Sequence, residues 1–328
     1  MLAVLLQVTV VLTVPSARAT DSTLPRTMLL SDGNKIPIIS FGTVGKTNIA
    51  DKLVKPAVIE AIEFGYRQID TAAVYRNEEY VGKAIADVIN RGIVTRDELF
   101  ITTKVPPYVG TKEGVLPIVQ DFLKKLKLDY VDLILIHSPD NLFNVPEHDY
   151  LNVWKGLEDV KKLNLTRYIG VSNFNSTHIN RILANSEIVP AANEIEVNPT
   201  YPSLELVAYC QSLNITVLSY APFGFMVPRP YSIKEPVSSS EESILTHLAQ
   251  KYGKIPSQIA LRYLIDRGTI PIPTSFNSKH IRSNIDVFDF KLTPEEIILI
   301  NELNQDVKVY YFQTKPLQVF VQYYGFLK

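Results

Sequence analysis

Polar residues stand directly after seven short apolar runs of this chain, and several of them have side chains that hold or transfer protons. These residues are Asp70, Lys104, His137, Ser172, Asn173, Glu194, Tyr220, Thr274 and Ser275. A single polar residue after a strand is usually an ordinary turn residue, because loops are polar by default. If the runs are parallel strands of one barrel, however, all of these residues lie on its C-terminal rim, where barrel enzymes place their chemistry.

The elements that would position these residues alternate between strand-like and helix-like segments. The apolar runs are Ile39–Thr43, Tyr66–Ile69, Leu99–Thr103, Val131–Ile136, Arg167–Val171, Ala191–Ile195, Ile215–Ser219 and Thr269–Ile272. Segments of helical period between them are Pro56–Phe64, Glu78–Asn90, Val115–Leu126, Val153–Leu163, Leu204–Leu213 and Ser257–Asp266. Repeated strand–helix units of this kind indicate a parallel sheet. Eight units predict an α/β fold, a closed (β/α)8 TIM barrel, with a doubly wound sheet as the alternative.

The two ends of the chain depart from this repeat. Thr27–Leu30 and Ile36–Ser40 flank an Asp-Gly turn, which predicts an N-terminal β-hairpin. Phe223–Glu241 is a loop rich in proline and serine, and Asp306–Lys328 is an aromatic tail without a clear period, which we expect to be irregular. No linker or low-complexity stretch divides the chain, so residues 20–328 are predicted to form one barrel domain.

The first residues predict a secretory signal peptide. Met1–Val14 is apolar and uncharged, and Ala17-Arg-Ala19 supplies a small-x-small cleavage pattern. The predicted signal peptide spans residues 1–19, and the mature protein is expected to be secreted. The apolar run is too short to span a bilayer comfortably, so no membrane association is expected. Acceptor triplets for N-linked glycans begin at Asn164, Asn175 and Asn214.

Composition excludes several classes of partner. Of the 328 residues, 46% are apolar and 20% are charged, and the net charge of −1 gives no basis for binding nucleic acid. Cys210 is the only cysteine, so neither an intrachain disulfide nor a thiolate metal cluster is available. The histidines lack paired metal-ligand spacing, and no metal is expected. A Gly-rich stretch at Gly42 fails the phosphate-loop pattern, because position 40 is Ser40. We expect a monomer.

Five ordered stretches resemble the sequence signatures of the aldo-keto reductase family. They are Phe64–Glu78, Ile101–Lys104, Tyr130–His137, Ile169–Phe174 and Leu292–Glu296. The resemblance extends from about Leu30 to about Val307, which is most of the mature chain. It implies a (β/α)8 barrel that uses NADPH to reduce the carbonyl of a ketone or aldehyde to an alcohol. The signal peptide is atypical, since most of this family is cytosolic.

The resemblance also implies a catalytic tetrad of Asp70, Tyr75, Lys104 and His137. Reduction of a carbonyl needs a hydride at carbon and a proton at oxygen. A phenol has a pKa of ~10 in model peptides and is a poor acid near neutrality, but an adjacent ammonium favours its phenolate. Lys104 would supply that charge, Asp70 would hold Lys104, and His137 would orient the substrate oxygen. Tyr75 would then act as the general acid.

Cofactor contacts follow from the same resemblance. Ser172 and Asn173 match the residues that bind the nicotinamide carboxamide, Tyr220 matches the ring stacked on the nicotinamide, and Asp70 borders the same site. Gly42 and Thr43 match the contact on the first barrel strand. The next position is usually Gln in the family and is Glu194 here, whose carboxylate accepts but cannot donate a hydrogen bond.

The predicted binding site for the adenosine 2′-phosphate departs more from the family. Ser275 and Asn284 match, but the usual basic pair falls on Thr274 and His280. Without Lys and Arg at these positions, charge-assisted hydrogen bonds to the phosphate are lost and its binding is weaker. We therefore predict NADPH as cofactor with a narrowed preference over NADH, and a higher affinity for NADPH at lower pH, where a histidine becomes charged.

The predicted substrate pocket lacks the tryptophans that often surround the tetrad in this family. Its residues are Val44, Val74, Pro106 and Ser138, and the only tryptophan, Trp154, lies in a helical segment away from the rim. Smaller side chains widen an apolar pocket, although the aromatic tail offers bulky groups to refill it. We predict a bulky, mainly apolar ketone such as a ketosteroid or ecdysteroid.

The same barrel is compatible with two other functions. A secreted, non-catalytic protein that binds apolar ligands would have no need for Asp70, Tyr75, Lys104 and His137 together. A glycosidase would need two carboxylates flanking a sugar bond. Asp70 and Glu194 are the clearest candidates for such a pair, but Asp70 is already assigned to Lys104.

Overall fold

The computed structural model describes residues 26–45, 50–141, 144–146, 148–226 and 242–310. The predicted signal peptide lies outside the described residues. Residues 227–241 of the Pro- and Ser-rich loop and residues 311–328 of the aromatic tail also lie outside them. None of the helices within the described ranges has the length and apolar character needed to cross a bilayer.

An antiparallel hairpin precedes the barrel, as predicted. Strand β1 (Thr27–Leu29) pairs with β2 (Lys35–Pro37). Gly33, at the turn, has φ +83°, a conformation that side chains other than glycine rarely adopt. Ile36 is fully buried against the apolar interior of the barrel. The hairpin therefore covers the N-terminal end of the barrel, opposite the predicted catalytic rim.

Eight parallel strands form the barrel, which confirms the predicted fold. They are β3 (Phe41–Gly42), β4 (Gln68–Asp70), β5 (Phe100–Val105), β6 (Val131–Ile136), β7 (Thr166–Ser172), β8 (Ala192–Glu196), β9 (Thr216–Tyr220) and β10 (Ile270–Pro271). Each strand pairs with the next in chain order. Closure is made by two backbone bonds, from Ser40 N to Pro271 O and from Gly42 N to Pro273 O, each 3.0 Å long. The doubly wound alternative is therefore wrong.

Ten α-helices are found in the described residues. They are α1 (Ala50–Glu63), α2 (Glu78–Asn90), α3 (Val115–Leu126), α4 (Tyr150–Lys162), α5 (Ser176–Leu183), α6 (Leu204–Ser212), α7 (Glu242–Tyr252), α8 (Pro256–Asp266), α9 (Ser278–Ile285) and α10 (Pro294–Asn301). Two of the predicted helices, α2 and α3, have the predicted bounds. Helix α1 begins earlier than predicted and contains Pro56 in its interior.

Strand alternation decides which side chains enter the barrel. In β5, Phe100 belongs to the apolar cluster inside the barrel, whereas Ile101 and Val105 pack in the outer core between the strands and the helices. Successive strand residues point to opposite faces, so Lys104 shares the inward register of Phe100. Thr103 points outward and bonds to Glu78 on α2.

Candidate active site

Three ionisable side chains enter the barrel from separate strands near its C-terminal end. Asp70 is the last residue of β4, Lys104 is the penultimate residue of β5, and Glu194 lies in the middle of β8. All three are buried, and Lys104 has no exposed side-chain surface. Lysine, aspartate and glutamate are almost never fully buried unless they are paired, so the three groups must satisfy one another.

The ammonium of Lys104 is at the centre of this cluster. Its Nζ donates to Asp70 Oδ1 at 2.6 Å, to Asp70 Oδ2 at 2.7 Å and to the carbonyl oxygen of Thr71 at 3.1 Å. Glu194 Oε2 lies 3.2 Å from the same nitrogen. The structure thus brings together the predicted Asp70–Lys104 pair and adds a second carboxyl to it.

Burial and charge act in opposite directions on this cluster. Burial disfavours the ammonium of Lys104, but the charge of Asp70, with a smaller contribution from Glu194, outweighs it and raises the pKa of Lys104 above its ordinary value. For Glu194, burial and the charge of Asp70 raise the pKa well above the ordinary range, and Lys104 opposes this only partly. Lys104 is therefore a permanent cation near neutral pH.

Tyr75 and His137 lie beside the ammonium. Tyr75 ends a 3-10 turn, Ala73–Tyr75, that follows β4, and Arg76 then reverses the chain with φ +54°. The Tyr75 ring centroid is 5.4 Å from Lys104 Nζ and 5.8 Å from the His137 ring, to which it is nearly perpendicular at 81°. The four residues of the predicted tetrad are thus assembled at one end of the barrel.

His137 is neutral in this setting. Its backbone N–H bonds to Val105 O at 3.1 Å, which fixes it at the end of β6. Burial lowers the pKa of the imidazole well below its usual value, and the charge of Lys104 lowers it further. Nδ1 of His137 is buried and makes no hydrogen bond with the described residues. A neutral imidazole offers one donor and one acceptor, so His137 can donate to a substrate oxygen.

A chain of hydrogen bonds links the predicted nicotinamide contacts. Ser172 Oγ donates to the carbonyl oxygen of Glu194 at 2.9 Å, and Asn173 Nδ2 donates to Ser172 Oγ at 3.1 Å and to His137 O at 2.9 Å. Tyr220 OH donates to Asn173 Oδ1 at 2.9 Å. The backbone of Asn173 is left-handed, with φ +65°. These bonds fix the amide and the phenol ring beside the tetrad.

Thr43 is fixed between β3 and β4. Its N–H and its hydroxyl both donate to Asp70 O at 3.0 Å. Asn77 Nδ2 donates to Thr43 O at 2.8 Å, and Thr71 Oγ1 donates to Asn77 Oδ1 at 3.1 Å. Gly42 is required next to it, because a Cβ there would collide with the Thr274 hydroxyl. Gly42 therefore permits the close approach of β3 to the segment after β10.

The predicted phosphate-binding residues lie after β10 and on α9. Thr274 and Ser275 are partly exposed, His280 is exposed in the first turn of α9, and Asn284 is buried further along the helix. Asn277 caps this helix by accepting from Lys279 N at 3.0 Å. The four predicted residues therefore share one segment of the rim, and its helix N-terminus is suited to an anionic group.

The predicted substrate-pocket residues are mostly buried. Val74 precedes Tyr75 in the same turn and is buried, Pro106 and Ser138 are also buried, and Val44 is half-buried. Of the tail aromatics, Tyr310 is described, and its ring packs edge-on against Tyr220 at 6.1 Å. The tail thus begins beside the predicted nicotinamide contact.

Trp154 lies away from the rim, as predicted. It is buried in the outer core, and its Nε1 donates to Ser186 Oγ at 3.1 Å.

Sequence reasoning missed three residues that support the site. Thr71 accepts from Lys104 through its carbonyl, and Asn77 ties that turn to β3. Glu196 accepts from Val309 N at 2.6 Å and from Tyr310 N at 3.1 Å, which anchors the start of the tail. Thr71 and Asn77 stand inside the signature stretch Phe64–Glu78, but Glu196 gave no signal, because its partners are remote in sequence.

The arrangement is suited to acid–base chemistry on a polar substrate atom. A phenol lies beside a permanent ammonium, and a neutral imidazole lies at its edge. Among the described residues, no group of three or more His, Cys, Asp or Glu side chains could hold a metal ion. An acid, a charge that stabilises its conjugate base and an orienting donor are the groups that protonation of a carbonyl oxygen requires.

Comparison with known proteins identifies the family. The sequence pattern of the aldo/keto reductase family matches residues 38–305. Aldo-keto reductase AKR2E4 of Bombyx mori is 51% identical over 292 residues, which cover 85% of this chain and 92% of the relative. Prostaglandin F synthase 1 of Bos taurus is 36% identical over 300 residues, covering 87% and 93% of the two chains.

Comparison with solved structures identifies the same family. The crystal structure of Bombyx mori AKR2E4 in complex with NADP has a TM-score of 0.82 at 49% identity and covers 88% of this chain and 97% of that one. The structure of the silkworm protein AKR2E5 complexed with NADPH has a TM-score of 0.83 at 35% identity and covers 89% and 92%. The chain belongs to the aldo-keto reductase family, whose members are oxidoreductases acting on carbonyl and alcohol groups.

Proposed function

We propose that this protein reduces the carbonyl group of a ketone or aldehyde to an alcohol with NADPH. The observation that carries this proposal is the buried Asp70–Lys104 pair, with the centroid of the Tyr75 ring 5.4 Å from Lys104 Nζ. A non-catalytic binding protein would not need a fully buried ion pair beside a phenol, because burying charges is expensive. No feature of the site favours that alternative.

The residues of the chain divide the proton chemistry among them. Neutral His137 donates a hydrogen bond to the carbonyl oxygen and orients it toward Tyr75. Tyr75 gives its proton to that oxygen as negative charge develops there. The Lys104 ammonium stabilises the phenolate that remains, and Asp70 keeps Lys104 in place through two short hydrogen bonds.

The rim offers a consistent set of contacts for the cofactor. Asn173 and Ser172 would hold the carboxamide, Tyr220 would pack against the nicotinamide ring, and Thr274 with Ser275 would bind the phosphate end. Two observations support this fit: Asn173 is fixed by three side-chain hydrogen bonds, and the N-terminus of α9 adjoins Ser275. When bound, NADPH supplies the hydride that reduces the carbonyl carbon. The silkworm relative AKR2E4 was crystallised with NADP, and AKR2E5 was crystallised with NADPH.

The choice between NADPH and NADH depends on two positions. Thr274 and His280 replace a basic pair that would grip the 2′-phosphate, and a hydroxyl binds phosphate more weakly than a charged group does. We propose that NADPH is the preferred cofactor, with a smaller margin over NADH than a Lys–Arg pair would give.

The proposed substrate is a bulky, rigid and mainly apolar ketone, with a ketosteroid or an ecdysteroid as the best match. Support comes from the side chains around the tetrad: Val44, Val74 and Pro106 are aliphatic or cyclic, and Ser138 is small. The indole of Trp154 is used in the outer core. Such a pocket has room for a wide substrate and offers few polar groups that would exclude an apolar one.

We further propose that the protein is secreted after removal of residues 1–19 and carries N-linked glycans. Asn164 and Asn214 are exposed, and each lies in the turn before a strand, so both are on the N-terminal face of the barrel. Asn175 is exposed at the start of α5 on the rim side, where its side-chain oxygen caps the helix. Glycans at the first two positions would leave the catalytic rim clear.

A shift in mass on enzymatic deglycosylation of protein secreted from animal cells, mapped with single Asn→Gln variants, tests this proposal. Intact residues 1–19 on the secreted protein, or an unglycosylated chain, would contradict it.

Reduction itself is tested by following NADPH absorbance with purified protein and a panel of ketones and aldehydes, with the alcohol product identified by mass spectrometry. We expect stoichiometric loss of NADPH and carbonyl compound. Binding of NADPH without consumption of any carbonyl class would refute the proposed function.

A further inference from the structure

Glu194 is a buried carboxyl group, and one of its oxygens, Oε2, has no hydrogen-bond partner among the described residues. The Lys104 ammonium has three N–H groups, and they are used by the two oxygens of Asp70 and by Thr71 O. Glu194 Oε2 is 3.2 Å from Lys104 Nζ but receives no hydrogen bond from any described residue. Asp70 and Thr71 therefore take the donors of the ammonium, which leaves Glu194 Oε2 close to its charge without a hydrogen bond.

The groups around Glu194 make the ionised form unfavourable. On the flanking strands its register partners are Ser172 in β7 and Leu218 in β9, which are uncharged. Across the barrel it faces Asp70 on β4 and Lys104 on β5. Since Asp70 already neutralises the ammonium, a second carboxylate would leave one net negative charge buried in the cluster. A buried carboxylate with an oxygen that receives no hydrogen bond is strongly disfavoured.

We infer that Glu194 holds a proton at neutral pH, so that Asp70, Lys104 and Glu194 together carry no net charge. The raised pKa of this carboxyl, which follows from burial and from the charge of Asp70, agrees with the geometry. A protonated carboxyl has an O–H donor as well as a carbonyl acceptor. Glu194 therefore offers the donor and acceptor that the family's usual Gln provides, contrary to the expectation that it can only accept.

The proton on Glu194 also affects the acidity of Tyr75. This consequence rests on the proposed function, whereas the protonation of Glu194 itself does not depend on it. When Tyr75 gives up its proton, a negative phenolate forms beside Lys104. If Glu194 is also ionised, its charge opposes that step. Reduction should therefore slow as pH rises through the titration of Glu194, by about tenfold for one like charge nearby. Glu194 is in this respect a positioning residue that acts through Lys104.

The protonation is tested by carbon-13 NMR of the full-length protein labelled at the glutamate carboxyl carbon. Glu78 is the matched control, since it is also buried and its pKa is raised to about 7. At about pH 8, where Glu78 is mostly ionised, we expect one glutamate carboxyl to remain protonated. The signal should disappear in Glu194→Gln and persist in Glu78→Gln. Absence of a protonated carboxyl signal in the wild-type protein would overturn the inference.

A second variant keeps the test independent of Glu194→Gln. Asp70→Asn removes the neighbouring charge, so the alkaline midpoint of the remaining signal should move to lower pH. An unchanged midpoint would contradict the claim that the charge of Asp70 helps to hold the proton on Glu194. Because these spectra need no turnover, the inference can fail while carbonyl reduction stands, and the reverse is also true.

Turnover gives the mechanistic readout. The pH profile of kcat for wild-type protein should show an alkaline loss that is missing from the profile of Glu194→Gln, whatever the absolute rate of that variant. Profiles of the same shape would overturn the proposed link between Glu194 and Tyr75.

Discussion

Replacing Glu78 by Gln should make the protein more stable above neutral pH. Glu78 is the first residue of α2 and is 2% exposed. Its Oε1 accepts from Thr103 Oγ1 at 2.9 Å, directly behind the strand that carries Lys104. Burial raises the pKa of this carboxyl from 4.5 to about 7, although the bond from Thr103 and the charge of Lys125 act against the shift. Glu78 is therefore close to half-ionised at neutral pH.

The magnitude follows from the linkage between proton binding and folding. One pKa unit corresponds to about 1.4 kcal/mol, so a rise from 4.5 to about 7 costs the ionised folded state about 3 kcal/mol. Below about pH 4.5 both folded and unfolded states hold the proton, and no cost arises. Between about pH 4.5 and 7 the unfolded state releases its proton first, so the free energy of unfolding falls. Above that range the cost is complete.

Urea denaturation at a series of pH values measures this effect. The difference in free energy of unfolding, Glu78→Gln minus wild type, should increase by about 2.5 kcal/mol between about pH 5 and pH 8. Glu79→Gln is the matched control, because Glu79 is the next residue of the same helix, is exposed and pairs with Lys83 at 2.6 Å. It should show no such increase. A difference for Glu78→Gln that stays constant with pH would refute the reasoning.

Three further outcomes are expected. Lys104→Met leaves Asp70 buried without its cation and should destabilise the fold by about 3–5 kcal/mol. The double variant that also carries Asp70→Asn should regain stability to thermal unfolding but should not regain turnover. Thr274→Lys or His280→Arg should increase the ratio of NADPH to NADH affinity at least about tenfold, by adding a charge-assisted phosphate contact; an unchanged ratio would remove these residues from the phosphate site. A 3-ketosteroid should have a higher kcat/KM than a short aliphatic aldehyde; a clear preference for the aldehyde would show that the pocket is not wide.

Much of the barrel was predictable because buried parallel strands are continuous apolar runs. β6 has the predicted bounds, and Asp70, Ser172 and Tyr220 are the last residues of their strands. Two boundaries were not predictable from local signals. Pro56 suggested a helix start, yet α1 begins at Ala50 and includes it. β10 is only two residues long, and Pro271 and Pro273, which bracket its end, lack the N–H needed to extend the ladder.

The residues of the site were predictable from the sequence, but several of the contacts between them were not. Asp70 and Lys104 belong to adjacent strands, so their pairing follows from parallel order. The contact between Lys104 and Glu194 joins β5 and β8, which are not neighbours in the sheet, and it requires the closed barrel. The sequence therefore did not predict the contact between Glu194 and Lys104. The anchor from Glu196 to Tyr310 was missed for the same reason, since it spans remote parts of the chain.

The central claim is that Tyr75 is the proton donor for carbonyl reduction. The most direct test compares kcat of wild type with Tyr75→Phe, which removes the hydroxyl and keeps the ring, while NADPH affinity is measured by fluorescence quenching. Tyr209→Phe is the control, because Tyr209 lies on α6 and donates to Asn180 at 2.7 Å, away from the rim. We predict that kcat falls at least ~10²-fold for Tyr75→Phe with nearly unchanged NADPH binding, and that Tyr209→Phe keeps its rate. Normal turnover by Tyr75→Phe would contradict the account.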